Sequence, residues 1–128
     1  MQNNIKSGSV AGLEENLKKA VSEMLILYTL DGEERYIGEI TDYLKECNGG
    51  VFEIVCPYSA IYRLLKQDYI EELKKRVAPD GRRRQYYTIT PCGKEYLEAL
   101  LKCYTRFSAG VQDILIGKKE EDLNDCCS

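Results

Sequence analysis

The sequence predicts a mainly α-helical fold with one small β-hairpin and a long C-terminal helix, and three observations carry that prediction. Apolar residues recur at helical spacing through the first half of the chain. Pro79-Asp80-Gly81 is a strong turn signal, and the short β-type run Tyr86-Tyr87-Thr88-Ile89 follows it closely. From Pro91 onward two apolar series repeat every seven residues, Leu97-Tyr104-Val111 and Leu100-Phe107-Ile114.

Residues 1–10 are polar, include Gly8 and Ser9, and read as a flexible N-terminal arm. A first helix is expected over Ala11 to Leu30, where Leu13, Leu17, Ala20, Val21, Met24, Leu27 and Tyr28 share one face. Glu14 and Glu15 are read into its first turn, where they favour the helix dipole, and Asp31-Gly32 stops it. A shorter helix follows from Tyr36 to Cys47, with Ile37, Ile40, Tyr43 and Leu44 inward. Asn48-Gly49-Gly50 ends it, because glycine takes the left-handed cap conformation freely. Val51 to Cys56 is a β-branched connector, expected to be partly extended. Pro57 opens a third helix that reaches about Asp68 and buries Ala60, Ile61, Leu64 and Leu65.

Tyr69 to Val77 reads as an extended run, followed by the turn and then the strand. Along that strand Tyr87 and Ile89 share one face, Tyr86 and Thr88 the other. Thr90-Pro91 starts the last helix: the threonine caps a free backbone N–H, and proline at the first helical position loses no hydrogen bond. This helix is expected to end near Ile116, with Lys118 onward charged and frayed. A three-helix core cannot cover so long an apolar seam, so Leu97, Leu100, Tyr104, Phe107, Val111 and Ile114 are expected to meet a twofold copy.

Helix, helix, helix, strand, basic turn, strand is the order of a winged helix-turn-helix. The net charge of −3 does not by itself suggest nucleic acid, but its distribution does. Tyr58 to Thr90 holds eight basic and four acidic residues, a net +4 that leaves −7 for the rest. On the third helix the side not used for packing carries Tyr58, Ser59, Tyr62, Arg63, Lys66 and Gln67, side-chain types that contact phosphates and base edges. Ser59, Tyr62, Arg63, Lys66 and Gln67 are therefore the expected groove contacts, with Arg82, Arg83 and Arg84 at the hairpin reaching backbone or minor groove. The resulting division is an arm at 1–10, a winged helix-turn-helix DNA-binding domain at 11–90, a dimerisation helix at 91–117 and a charged flexible tail at 118–128.

Other chemistry finds little support. With no histidine, the usual general base and most catalytic zinc sites are gone, and neither a glycine-rich phosphate loop nor a carboxylate pair suggests an enzyme. The six cysteines form no C-x-x-C pair, so no metal or other cofactor is expected; most are expected as reduced thiols in or near the core. The adjacent Cys126 and Cys127 sit where nothing obvious depresses a thiol pKa. No apolar run is long enough to span a bilayer and the first residues lack a signal peptide's apolar segment, so the expectation is a cytoplasmic protein without membrane contact.

The chain resembles the PadR family of bacterial transcriptional regulators. Tyr58-Ser59-Ala60-Ile61-Tyr62-Arg63-Leu64 is similar to the family's Tyr-Pro-Ala-Leu-x-Arg-Leu, and Asp68-Tyr69-Ile70 falls where Gly-Leu-Ile continues it. Arg84-Gln85-Tyr86-Tyr87-Thr88-Ile89-Thr90 with Gly93 resembles Arg-Lys-Tyr-Tyr-x-Leu-Thr-x-x-Gly, and Tyr36 with Glu39-Ile40 echoes Tyr-Gly-Tyr-Glu-Ile. The likeness covers about residues 13–115. It departs at Ser59 for proline, Asp68 for glycine and Ile37-Gly38 for Gly-Tyr. The resemblance implies a homodimer paired through its C-terminal helices, often with the partner's first helix, that binds a double-stranded operator and represses a nearby operon. In several members a small aromatic or amphipathic effector relieves repression. Tyr28, Tyr96, Tyr104 and Phe107 are the aromatic residues here that could line such a pocket. The alternative is a winged-helix module that binds protein rather than DNA, to which the low pI and Asp68, Glu71 and Glu72 beside the third helix point.

Overall fold

The structure, a computed structural model, describes residues 8–127 except 51 and 55, and side chains as far as Gly117. It comprises two compact units divided after Leu97. The first begins with α1 (Val10–Thr29), capped by the Ser9 side chain, which accepts the Gly12 N–H at 3.0 Å. A two-residue strand β1 (Arg35–Tyr36) leads into α2 (Ile37–Cys47), where Glu39 reaches back to accept the Tyr36 N–H at 3.3 Å. Then come α3 (Pro57–Lys66), β2 (Ile70–Glu72), β3 (Arg76–Val77), β4 (Arg83–Arg84), β5 (Tyr86–Ile89) and α4 (Pro91–Cys127).

The expected hairpin resolves into two small antiparallel sheets. In the first, β5 lies between β1 and β2, with Tyr36 opposite Tyr86 and Ile70 opposite Ile89. In the second, β3 pairs with β4, Arg76 opposite Arg84. The break falls at Gln85, whose amide donates to the Leu73 and Tyr86 carbonyls instead of continuing a ladder. β1 was not foreseen, since two residues are too short for a period to show.

Ile26, Leu27 and Leu30 from the end of α1, Ile40 from α2, Leu64 from α3 and Ile70 from β2 are the largest fully buried side chains. Each contributes roughly 1.5–3 kcal/mol by leaving water. The expected face of α1 is corrected here. α2 and α3 pack on the C-terminal half of α1, so Met24 and Leu27 are buried while Leu13, Leu17, Ala20 and Tyr28 are exposed. Glu14 and Glu15 fall beyond the first turn, because the helix starts one residue early at Val10. α3 ends at Lys66, and Asp68 follows with a left-handed φ of +61°. The connector before α3 has no strand among its described residues.

The exit from β5 is the tightest junction. The Gly93 N–H donates to Thr90 Oγ1 at 2.9 Å, the expected cap, while that hydroxyl donates to the Asp68 carbonyl at 2.6 Å. The Thr90 N–H donates to the Tyr69 carbonyl at 3.0 Å. A Cβ on Gly93 would sit 1.9 Å from that same oxygen, so only glycine fits.

The second unit begins at Glu98 and is helical to Cys127, well past the expected end near Ile116. Leu97, placed on the seam by its spacing, is instead 3% exposed in the core of the first unit. Leu100 is half-buried, whereas Tyr104, Phe107, Val111 and Ile114 stand exposed on the helix. The expectation that the cysteines lie near the core is also corrected: Cys47, Cys56, Cys92 and Cys103 are free thiols and exposed. The side chains of Cys126 and Cys127, and the rest of the expected tail, lie outside the described residues.

Candidate nucleic-acid interface

Two elements present the expected DNA-contacting residues. α3 is one. Ala60, Ile61 and Leu64 anchor it to the core, and by helical spacing this turns Tyr58, Ser59, Tyr62, Arg63, Lys66 and Gln67 to solvent. Lys66 lies over the Tyr62 ring at 5.4 Å, a cation–π contact on the exposed face. Arg63 differs from its neighbours. Its Nε donates to Glu23 Oε2 on α1 at 2.5 Å, so it ties two helices together within the chain. Nothing local in the sequence marks that pair, because Glu23 and Arg63 are far apart along the chain.

The wing is the other element. Gly81, at φ +83°, turns the chain between β3 and β4, and its N–H donates to the Ala78 carbonyl at 2.9 Å. Arg82 and Arg83 are exposed at the tip and form no side-chain ion pair among the described residues. Arg84 is held: its Nη2 donates to Asp80 Oδ2 at 2.6 Å, and its guanidinium lies 5.2 Å from the Tyr36 ring centre. Asp80 also accepts the Arg82 N–H at 3.0 Å. The Arg84 bond first, then that backbone bond, holds the Asp80 carboxyl below its usual range. Arg76 braces the same root, 3.7 Å over the Tyr86 ring and 2.8 Å from Glu34. The sequence reading missed this bracing set of Asp80, Arg76, Tyr86, Tyr36 and Glu34.

Of the four aromatics named for an effector pocket, Tyr28 and Tyr96 line separate hollows of the first unit. Tyr28 lines a hollow of about 310 Å³ with Asp31, Arg35 and Tyr43. Tyr96 lines another of about 440 Å³ with Glu23, Arg63, Lys66 and Tyr69, and stacks on Tyr69 at 4.1 Å. Burial first, then Glu23, raises the Tyr96 phenol pKa. Tyr104 and Phe107 belong to the second unit, where they are 49% and 71% exposed. Among the described residues no group of three or more His, Cys, Asp or Glu could hold a metal, and no helix is long and apolar enough to cross a membrane.

A polar helix held on an apolar core, followed by a hairpin with a cationic tip, makes this chain a winged helix-turn-helix DNA-binding transcriptional regulator. Residues 26–99 match the transcriptional regulator PadR-like family, and the chain belongs to that family. An uncharacterised protein of Lysinibacillus sphaericus is 34% identical over 82 residues, 62% of this chain and 74% of that one. A PadR-like transcriptional regulator from Bacillus cereus is 29% identical, with a TM-score of 0.65 over 78% of this chain and 96% of that one. A PadR family regulator from Eggerthella lenta, 21% identical, shares the fold with a TM-score of 0.70 over 83% and 91% of the two chains.

Proposed function

We propose that the protein is a homodimeric repressor that reads an operator through paired α3 helices. The observation that carries this is the exposed polar surface: Ser59, Tyr62 and Lys66 on α3, Gln67 just past its end, and Arg82 and Arg83 at the wing tip. Each α3 enters a major groove, and twofold symmetry sets the pair about one helical turn apart, roughly 34 Å. Arg82 and Arg83 supply phosphate or minor-groove contacts, and Arg63 and Arg84 position the two reading elements. Residues 11–90 form the DNA-binding domain and 91–117 the dimerisation helix. The exposed stripe of Tyr104, Phe107, Val111 and Ile114 supports pairing of α4, and exposed Leu13 and Leu17 on α1 offer a second apolar surface to the partner. A small aromatic effector would release DNA by changing the spacing of the two α3 helices, which requires unequal affinity for the two arrangements.

The test is a mobility shift on the region upstream of the gene, at about 50 and 200 mM salt, with Arg82→Ala/Arg83→Ala alongside. Sequence-selective binding should weaken steeply with salt, and the double variant should reduce the salt slope by about two. No preference over random DNA would overturn the reading and favour a protein partner for the same face, where Glu71 and Glu72 are exposed. Sedimentation should give twice the monomer mass, and Phe107→Glu/Ile114→Glu should return it to one.

A further inference from the structure

A cleft of about 350 Å³ opens between the first turn of α2, the first turn of α3 and the root of the wing. Lys75, Arg83 and Arg84 line it together with Tyr36, Tyr58 and Gly38. None of its lining residues is a carboxylate, whereas the hollow beside Tyr96 includes Glu23 and the one beside Tyr28 includes Asp31 and Glu33. Arg84 Nε is buried and has no hydrogen-bond partner, so a donor at the cleft's edge is unspent. Lys75 is exposed and, among the described residues, forms no ion pair.

Resting on the DNA-binding reading, we infer that this cleft seats one backbone phosphate of bound duplex DNA, with Lys75 as a contact the wing tip does not include. Lys75 and Arg83 have no carboxylate partner among the described residues, and Arg84 keeps a free Nε beside its bond to Asp80, so a phosphodiester entering the hollow gains attraction from all three. Tyr36 and Tyr58 offer hydroxyl donors of the kind that fix a protein's register on the duplex. The first turn of α2 adds backbone N–H groups that have no acceptor inside the helix. Gly38 keeps that wall low. A Cβ there would come within 2.8 Å of the Tyr36 ring, which is already packed edge-on against Tyr86 at 5.5 Å. The cleft therefore joins three elements on one phosphate: α2, α3 through Tyr58, and the wing.

The experiment measures binding of a labelled upstream duplex and of a random duplex across a salt series, using the full chain. Lys75→Ala and Tyr58→Phe are compared with Lys45→Ala, which removes the same charge as Lys75→Ala from the far end of α2, where Lys45 pairs with Glu53 at 3.5 Å. Lys75→Ala should weaken both duplexes by the same factor and lower the salt slope by about one. Tyr58→Phe should weaken both with little change in slope. Unaltered thermal melts show that each variant folds. If the wild type binds its operator and Lys75→Ala keeps the slope and affinity of Lys45→Ala, the cleft proposal is overturned while the DNA-binding reading stands. If the wild type binds no DNA, both fall.

Discussion

Arg82 and Arg83 stand exposed at the tip of the wing, while Arg84, the next residue, is bonded to Asp80 and lies over Tyr36. The same side chain thus has two jobs within one triplet. Geometry separates them. Gly81 turns the chain, Asp80 on the turn faces Arg84, and β4 places Arg84 opposite Arg76 at the root. At the root, cations, rings and carboxylates contact one another, whereas the Arg82 and Arg83 side chains at the tip have no ion-pair partner among the described residues. A wing needs both, because a phosphate contact carries specificity of position only if its arm is held still. Changes at the root should therefore appear in stability as well as binding, and changes at the tip in binding alone.

The largest effect is expected where the root meets α4. Gly93→Ala places a methyl 1.9 Å from the Tyr69 carbonyl oxygen, which itself accepts the Thr90 N–H. Backbone rather than a flexible side chain would have to move, so the cost should be about 3 kcal/mol. Urea unfolding measures it. A variant as stable as the wild type would show that the junction is looser than its hydrogen bonds imply.

Arg84→Ala comes next. It should lower the thermal midpoint and weaken DNA binding together, because it removes the brace on Asp80 and frees the wing. Arg82→Ala and Arg83→Ala should leave the midpoint unchanged and reduce only affinity and salt slope. Equal melting behaviour across all three would erase the difference between root and tip.

Much of this division could be read in advance, and the part that could not has a physical reason. Thr90-Pro91, the turn at Pro79-Asp80-Gly81 and the buried face of α3 are local signals; the first two appear where the sequence places them, and the third does so at Ala60, Ile61 and Leu64, with Leu65 only half-buried. The Glu23–Arg63 pair, the Arg76–Glu34 pair and the strand at Arg35–Tyr36 depend on segments far apart in the chain. No periodicity reports them. Leu13 and Leu17 show the same limit: spacing says that a helix has an apolar face, not which neighbour covers it. Leu97 fits the seven-residue series and still belongs to the core.

The acid side of the stability profile sharpens the root further. The Asp80 pKa is lowered, so the folded state holds its carboxylate more strongly than the unfolded chain does. That contribution is complete above the unfolded value near 4 and is lost as pH falls through the depressed folded value. Asp80→Asn should therefore flatten the loss of stability below about pH 4, with the profile between about 5 and 8 unchanged in shape. An acid limb identical to the wild type would mean that the Arg84–Asp80 bond contributes nothing to folding.

The smallest effect is expected at Asp68, between α3 and β2. It adopts φ +61° where the family's pattern has glycine. An L-residue is strained there, though aspartate tolerates it better than most. Asp68→Gly removes that strain but gives the unfolded chain more freedom, and the two nearly offset. The net gain should be roughly 0.5 kcal/mol. The substitution also removes a negative charge beside α3, which should raise DNA affinity slightly at low salt. Asp68→Asn separates the two causes. It removes the charge and keeps a side chain suited to the left-handed region, so it should reproduce the gain in affinity without the gain in stability. If both variants stabilise equally, charge rather than backbone is the burden at this turn. If neither changes affinity, Asp68 lies outside the reach of the bound phosphates.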